Sequence, residues 1–111
     1  MSAVAIIGAG SWGTALAIHL ARRGLAPRLW ARDPALAREL RERARNPRYL
    51  PEVAIPAGVV ATAEGGEALA GAGIVIVAVP SQFVRAVMAR LAPAVPSVVE
   101  SGDTEVTLGA G

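Results

Sequence analysis

The apolar and polar positions of this chain fall into a repeating order of short apolar runs, glycine- or proline-marked turns and helical patterns. The first run, Ala3-Val4-Ala5-Ile6-Ile7, is followed by Gly8-Ala9-Gly10-Ser11-Trp12-Gly13 and then by apolar residues at helical spacing. Leu16, Ala17, Ile18, Leu20 and Ala21 predict a helix from about Ser11 to Arg23, stopped at Gly24. Pro27 to Ala31 reads as a short second strand. Asp33-Pro34 opens a second helix over Pro34 to Arg45, because Asp is a strong N-cap and Pro suits the first helical position. Its apolar side is Leu36, Ala37, Leu40 and Ala44; the charged residues between them read as a wet face, with a Glu39/Arg43 pair four residues apart.

The stretch Asn46-Pro47-Arg48-Tyr49-Leu50-Pro51 ends that helix, since its prolines remove donors and bias the preceding residues to extended backbone. It is either a packed surface loop or the rim of a ligand site. Val59-Val60-Ala61 is a third strand candidate and Glu64 to Ala72 a short helix weakened by glycine. Ile74-Val75-Ile76-Val77-Ala78-Val79 is the clearest strand. Its unbroken apolar run predicts burial on both faces, as in the centre of a parallel sheet. Pro80-Ser81-Gln82 ends it, with Ser81 able to cap the next helix or touch a ligand, and that helix runs through Phe83, Val84, Val87, Met88 and Leu91 to Pro93. Ser97-Val98-Val99-Glu100 and Glu105-Val106-Thr107-Leu108 compete to be the fifth strand.

Strands alternating with helices predict an α/β fold. It is a Rossmann-type doubly wound, mainly parallel sheet with helices on both faces and strand order 3-2-1-4-5. The chain's 111 residues suit one domain, and 53% hydrophobic content is ample for its core. In such sheets a ligand lies outside the carboxyl ends of the strands where the order reverses. That rule brings Gly8 to Gly13 and Pro80 to Gln82 to opposite sides of one crevice.

The glycine stretch has the strand-turn-helix context of a dinucleotide fingerprint. Gly8 permits the tight turn, Gly10 lets a pyrophosphate approach the backbone, and Gly13 lets the helix pack closely on the strand. The free N–H groups and partial positive charge of the helix start would face the phosphates. About twenty residues beyond the last glycine an acid selects NAD, whereas an Arg accommodates the 2′-phosphate of NADP. Arg32-Asp33 stands there. Asp33 is explained as an N-cap and Arg32 has no comparable structural role, so NADP is favoured over NAD.

Charge and composition narrow the remaining classes. All 11 basic residues are Arg, the formal net charge is only +2, and the Arg residues are scattered or lie on one helix, so nucleic acid is not expected as a partner. With no Cys and a single His, His19 in the first helix, neither disulfides nor a structural zinc site are expected. Glycines interrupt the N-terminal apolar run, so neither a signal peptide nor a membrane span is expected, and a cytoplasmic location is the default.

Taken together, Gly8 to Ala17, Leu29-Trp30-Ala31-Arg32-Asp33, Asn46 to Pro51 and Val79-Pro80-Ser81-Gln82 resemble the N-terminal domain of bacterial NAD(P)-dependent glycerol-3-phosphate dehydrogenase. The resemblance spans about Ala3 to Pro93. It implies hydride transfer between a nicotinamide dinucleotide and dihydroxyacetone phosphate or sn-glycerol 3-phosphate in the full-length enzyme. It also implies that Ser11 and Trp12 line the cofactor, that Arg32 meets the adenosine ribose or its phosphate, and that Tyr49 belongs to the cofactor side of the cleft. Gly8, Gly10, Gly13, Asp33, Pro80 and Ser81 complete the expected cofactor set.

Two departures bear on activity. The family's strand ending in a Ser/Ala-x-Lys-Gly-like turn carries a Lys that reaches cofactor and substrate, and this chain has no Lys. If Val106 to Gly111 matches that turn, Ala110 stands in the Lys position; if Ser97 to Gly102 matches, Ser101-Gly102 lacks it. The family's helical C-terminal domain, with its proton-transfer Lys and substrate-phosphate groups, is absent from residues 1–111. The expectation is therefore a cofactor-binding domain with no catalytic residue of its own, inactive alone, which meets a small phosphorylated substrate only with that second domain. The surface left for docking would meet the missing domain, a second copy in a homodimer, or a partner protein. Two other readings stand beside it: a stand-alone NAD(P)-binding regulatory module, and the cofactor domain of another hydroxy- or imino-acid dehydrogenase.

Overall fold

The first strand, β1 (Ala3–Ile7), shows why the chain winds on both sides of one sheet: its alternate residues feed two separate cores. Ile6 joins Ala17, Ile18, Leu29, Leu36 and Leu40 on one face, while Ala5 and Ile7 join Trp30, Leu69, Val75, Val77 and Leu91 on the other. Successive strand side chains point to opposite faces, so a central strand with no polar position commits the chain to a layer of helices on each side. Ile6 and Ile7 are both fully buried, each worth about 1.5–3 kcal/mol of apolar burial.

The computed structural model describes residues 3–94 and 105–108. The helices are α1 (Ser11–Arg22), α2 (Pro34–Arg43), α3 (Gly65–Leu69) and α4 (Val84–Leu91); the further strands are β2 (Arg28–Trp30), β3 (Val60–Thr62), β4 (Ala72–Val77) and β5 (Glu105–Leu108). Short 3-10 turns, Ser81–Phe83 and Ala92–Ala94, flank α4. The described strands form one sheet in the order β3-β2-β1-β4-β5, every pair parallel, as the alternation predicts. Of the two candidates for the fifth strand, Glu105–Leu108 pairs with β4. Ser97 to Glu100 and Ser101-Gly102 lie outside the described residues, as does Ala110.

The element ends depart from expectation for local reasons. Helix α2 stops two residues early because Ala44 turns left-handed at φ 51, and its carbonyl accepts the Ile55 N–H at 2.8 Å, tying down the loop that follows. Glu39 pairs with Arg48 rather than Arg43, and Arg41 crosses to the Ala61 carbonyl at 3.1 Å, so this face is less purely solvent-facing than its charges suggest. Strand β4 begins at Ala72, the last residue assigned to the preceding helix, and that helix itself ends at Leu69. It is not buried on both faces: Val75 and Val77 are enclosed, but Ile74 is 37% exposed. Ile74 and Ile76 are in register with Val4 and Ile6, on the α1/α2 side of the sheet.

The strand ends that matter for function are level with one another. Ile7 is in register with Trp30 on one side and Val77 on the other. Immediately beyond, Gly8 N–H donates to the Trp30 carbonyl at 3.0 Å and Ala78 N–H donates to the Ile7 carbonyl at 2.7 Å. The glycine turn therefore leaves the sheet from a rigid, doubly bonded edge. Among the described residues no helix is long and apolar enough to cross a membrane.

Candidate functional site

Gly8 leaves β1 at φ +120, and a Cβ built there would lie 2.5 Å from the Ala78 carbonyl oxygen and 2.8 Å from Val79 Cγ1. Only glycine fits that conformation in that space. At Gly13 the backbone conformation is ordinary and the crowding is extreme: a Cβ would fall 1.9 Å from the Gly8 carbonyl oxygen. The first turn of α1 thus rests directly on the loop that precedes it. Gly10 is the opposite case, with nothing within 4 Å of the point where a Cβ would stand.

That open space belongs to a cavity of about 450 Å³ outside the carboxyl ends of β1, β2 and β4, a size typical of small-molecule and cofactor sites. Its floor is the glycine loop, Gly8, Ala9 and Gly10, continued by Ser11 and Trp12. The β2 end contributes Trp30, Ala31, Arg32 and Asp33; the β4 end contributes Ala78, Val79, Pro80 and Phe83; Arg48 and Tyr49 come from the loop after α2. The convergence predicted from topology is thereby observed. Gly13 lies beneath the cavity, in the helix–loop contact, and exposed Ser81 lies one position beyond the lining residue Pro80. Ser81 makes no capping bond, because Pro80 takes the N-cap position and Ser81 begins a 3-10 turn. His19 is exposed near the far end of α1.

Two features of the floor suit an anion. Helix α1 has Gly10 as its N-cap with no side-chain capping bond, and no acidic residue in its first turn. Its first N–H groups and the positive end of its dipole are left for a ligand. Gly10 keeps the approach clear, because a side chain there would fill the cradle. The site thus fits a pyrophosphate on the glycine loop.

The rim loop is legible as a rim only in outline, and its polar contacts escape a reading by prolines. Asn46 is fully buried. Its side-chain amide donates to the Ala9 carbonyl and to Thr14 Oγ1, each at 2.8 Å, and its Oδ1 accepts from the Arg48 and Tyr49 N–H groups at 3.2 and 3.1 Å. An Asn that folds the next residues onto its own side chain is an Asx turn, and Asn-Pro after a helix is the signal that could have disclosed it. Thr14, one residue after the last glycine, is the partner it finds.

Arg48 is the other residue that sequence reasoning misses. Its Nη1 donates to Asp33 Oδ2 at 2.8 Å and its Nη2 donates to Glu39 Oε1 at 3.3 Å. Asp33 also accepts from the Ala35 N–H at 2.9 Å, which confirms its N-cap role. The Arg48 guanidinium, and after it the Ala35 N–H, holds the Asp33 carboxyl below the usual range, so it stays ionised. Trp30, 1% exposed, anchors the β2 end by donating from Nε1 to the Ala63 carbonyl at 3.0 Å, and the Arg90 guanidinium stacks 5.6 Å from its ring centre.

Residues 3–102 match the family described as NAD-dependent glycerol-3-phosphate dehydrogenase N-terminus. The chain is 47% identical over 93 residues to a glycerol-3-phosphate dehydrogenase (NAD(P)+) of Moorella thermoacetica, covering 84% of this chain and 28% of that protein. It is 50% identical over 91 residues to a protein of the same name from Thermus thermophilus, covering 82% of this chain and 28% of the relative. A crystal structure of glycerol-3-phosphate dehydrogenase from Coxiella burnetii superposes with a TM-score of 0.87 at 34% identity, over 98% of this chain and 32% of that one. The chain therefore spans less than a third of the length of these two curated relatives.

Proposed function

The chain belongs to the family of NAD-dependent glycerol-3-phosphate dehydrogenase N-termini, and from that premise we propose that its cavity holds a nicotinamide dinucleotide, as the cofactor half of a dehydrogenase that interconverts sn-glycerol 3-phosphate and dihydroxyacetone phosphate. The single observation that carries this reading is the convergence of the glycine loop, the β2 end and the β4 end on one cavity at the β1/β4 switch point. The bound cofactor would supply hydride chemistry.

Each wall has a distinct task in this reading. Gly10 and Ser11 present backbone N–H groups to the pyrophosphate, with Gly8 making the turn that brings them there and Gly13 keeping α1 close enough for its dipole to act. Arg32 and Asp33 stand at the adenosine ribose. The apolar β4 end, Val79, Pro80 and Phe83, together with Trp12 and Tyr49, gives flat contact surface and excludes water from the remainder, with Ser81 at its edge. NADP is favoured over NAD on the strength of Arg32.

Reduction of a ketone needs a proton donor near the developing alkoxide, and a phosphorylated substrate needs cations or N–H groups of its own. Among the described residues the charged side chains of the cavity are Arg32, Asp33 and Arg48, all at its β2 side. We therefore assign substrate phosphate binding and proton transfer to a second, helical domain outside residues 1–111, and cytoplasmic work to the assembled enzyme. Titrating the chain with NADPH and with NADH, followed by nicotinamide fluorescence, should give saturable binding and no oxidation of either nucleotide when dihydroxyacetone phosphate is added. Absence of saturable binding of both nucleotides would overturn the cofactor reading; turnover by this chain alone would overturn the division of labour.

A further inference from the structure

An acid at the end of the second strand ordinarily accepts hydrogen bonds from the ribose hydroxyls of an unphosphorylated cofactor. Asp33 holds that position, yet both of its oxygens are engaged within the protein: Oδ1 takes the Ala35 N–H at 2.9 Å and Oδ2 takes Arg48 Nη1 at 2.8 Å. The Arg48 backbone is fixed by its own N–H bond to Asn46 Oδ1 at 3.2 Å, and its other terminal nitrogen reaches Glu39 at 3.3 Å. Arg48 lines the same cavity as Arg32 and Asp33.

We propose that Arg48 is a specificity-determining residue: it cancels Asp33 as a ribose acceptor and, with Arg32, makes a cationic seat for the 2′-phosphate of a phosphorylated dinucleotide. This rests on the cofactor reading above. A carboxylate keeps further lone pairs beyond two bonds, so the cancellation is one of charge and orientation. With Arg48 in place the lining carries two cations to one anion at this end; without it the count is even and Asp33 faces the ribose. The guanidinium has five N–H donors, so its contacts to Asp33 and Glu39 leave others for phosphate oxygens. Its pairing with Asp33 is solvent-exposed, with side-chain exposures of 39% and 46%, and exposed pairs are weak. Arg48 can therefore turn toward a phosphate at little cost while remaining beside the acid it neutralises.

The test is a titration of the 111-residue chain and three variants with NADPH and NADH. Arg48→Ala should weaken NADPH about tenfold or more, as expected for a lost charge-assisted contact, and should leave NADH equal or tighter. Asp33→Asn should act in the opposite sense, tightening NADPH several-fold by removing the neighbouring negative charge while keeping the N-cap. In the double variant the NADH gain of Arg48→Ala should vanish, because the freed carboxylate is its source. If the unsubstituted chain binds both nucleotides and Arg48→Ala lowers them equally, or changes neither, the assignment falls and the cofactor reading stands. If the unsubstituted chain binds neither, both fall together. Circular dichroism of each variant separates loss of fold from loss of affinity.

Discussion

The side-chain amide of Asn46 donates to Thr14 Oγ1 at 2.8 Å across 32 positions of sequence, joining the loop after α2 to the first turn of α1. The same amide holds the Ala9 carbonyl at 2.8 Å, so one buried residue fixes the rim of the cavity to its floor. Asn46 is itself fully buried and the two bonds its amide donates lie in the interior, where an unpaired polar group is expensive; the two its Oδ1 accepts are part-buried. Asn46→Ala would strand the Ala9 carbonyl and the Arg48 and Tyr49 N–H groups. It should cost about 3 kcal/mol, given roughly 1–3 kcal/mol per unsatisfied buried group. Thr14→Val leaves the amide one acceptor and should cost about 1 kcal/mol. Urea midpoints at constant m-value check both, and equal small losses would mean the latch carries no stability.

This latch also marks where the sequence stops being readable. The sheet order follows from apolar runs and handedness, because period and connection rules act locally along the chain. The glycine positions follow as well, since a turn that admits no Cβ leaves a compositional mark. Asn46, Thr14 and Arg48 leave none that points to a partner: their contacts depend on which loops the folded sheet brings together. The position of the helix end at Ala44 is hidden for a related reason, since alanine is a good helix former and the bond from Ile55 N–H to its carbonyl, which ties down the turn, is tertiary. The exposure of Ile74 is equally invisible, because an apolar run cannot say which of its faces has a neighbour.

Gly13 and Gly10 should separate folding from binding. A Cβ on Gly13 collides with the Gly8 carbonyl oxygen at 1.9 Å, and Gly8 cannot retreat while its N–H is bonded to the Trp30 carbonyl at 3.0 Å. Gly13→Ala should therefore lose about 3 kcal/mol or more, at the top of the range for overpacking. Gly10 has an extended backbone at φ −75 and ψ −168 that any residue adopts, and its side is open. Gly10→Val should melt within about 1 kcal/mol of the parent, the scale of an altered N-cap, while binding neither dinucleotide. Thermal melts beside fluorescence titrations decide it; retained binding in Gly10→Val would show that the pyrophosphate does not cross that residue.

Acid should expose the role of Asp33. The hydrogen bond from Arg48, then that from Ala35, lowers its folded pKa below the usual value, which for an unfolded chain is about 3.9. A depressed carboxylate stabilises the fold above its unfolded pKa, and that contribution drains away as pH falls through the lowered folded value. Melting temperatures of the parent and of Asp33→Asn should thus differ near neutrality and converge as the pH falls below the ordinary carboxylate range, through the lowered folded value. In Arg48→Ala the loss should begin at higher pH, nearer the ordinary carboxylate value. A gap between parent and Asp33→Asn that persisted unchanged into acid would mean the charge of Asp33 does not contribute.

Arg32 offers the sharpest contrast within the cavity. It lines the β2 end in an exposed position, and its side chain makes no hydrogen bond or ion pair among the described residues, whereas Arg48 beside it is bound to two carboxylates. A guanidinium with no protein partner gives the fold little, so Arg32→Ala should leave stability within about 0.5 kcal/mol of the parent. Its effect should fall on the ligand: NADPH weakened by about 1–3 kcal/mol through loss of a charge-assisted contact, and NADH much less. Because the contact is to phosphate, the difference between the two cofactors should shrink as salt is raised. Equal weakening of both nucleotides, or a salt-independent difference, would place Arg32 on the surface outside the phosphate's reach.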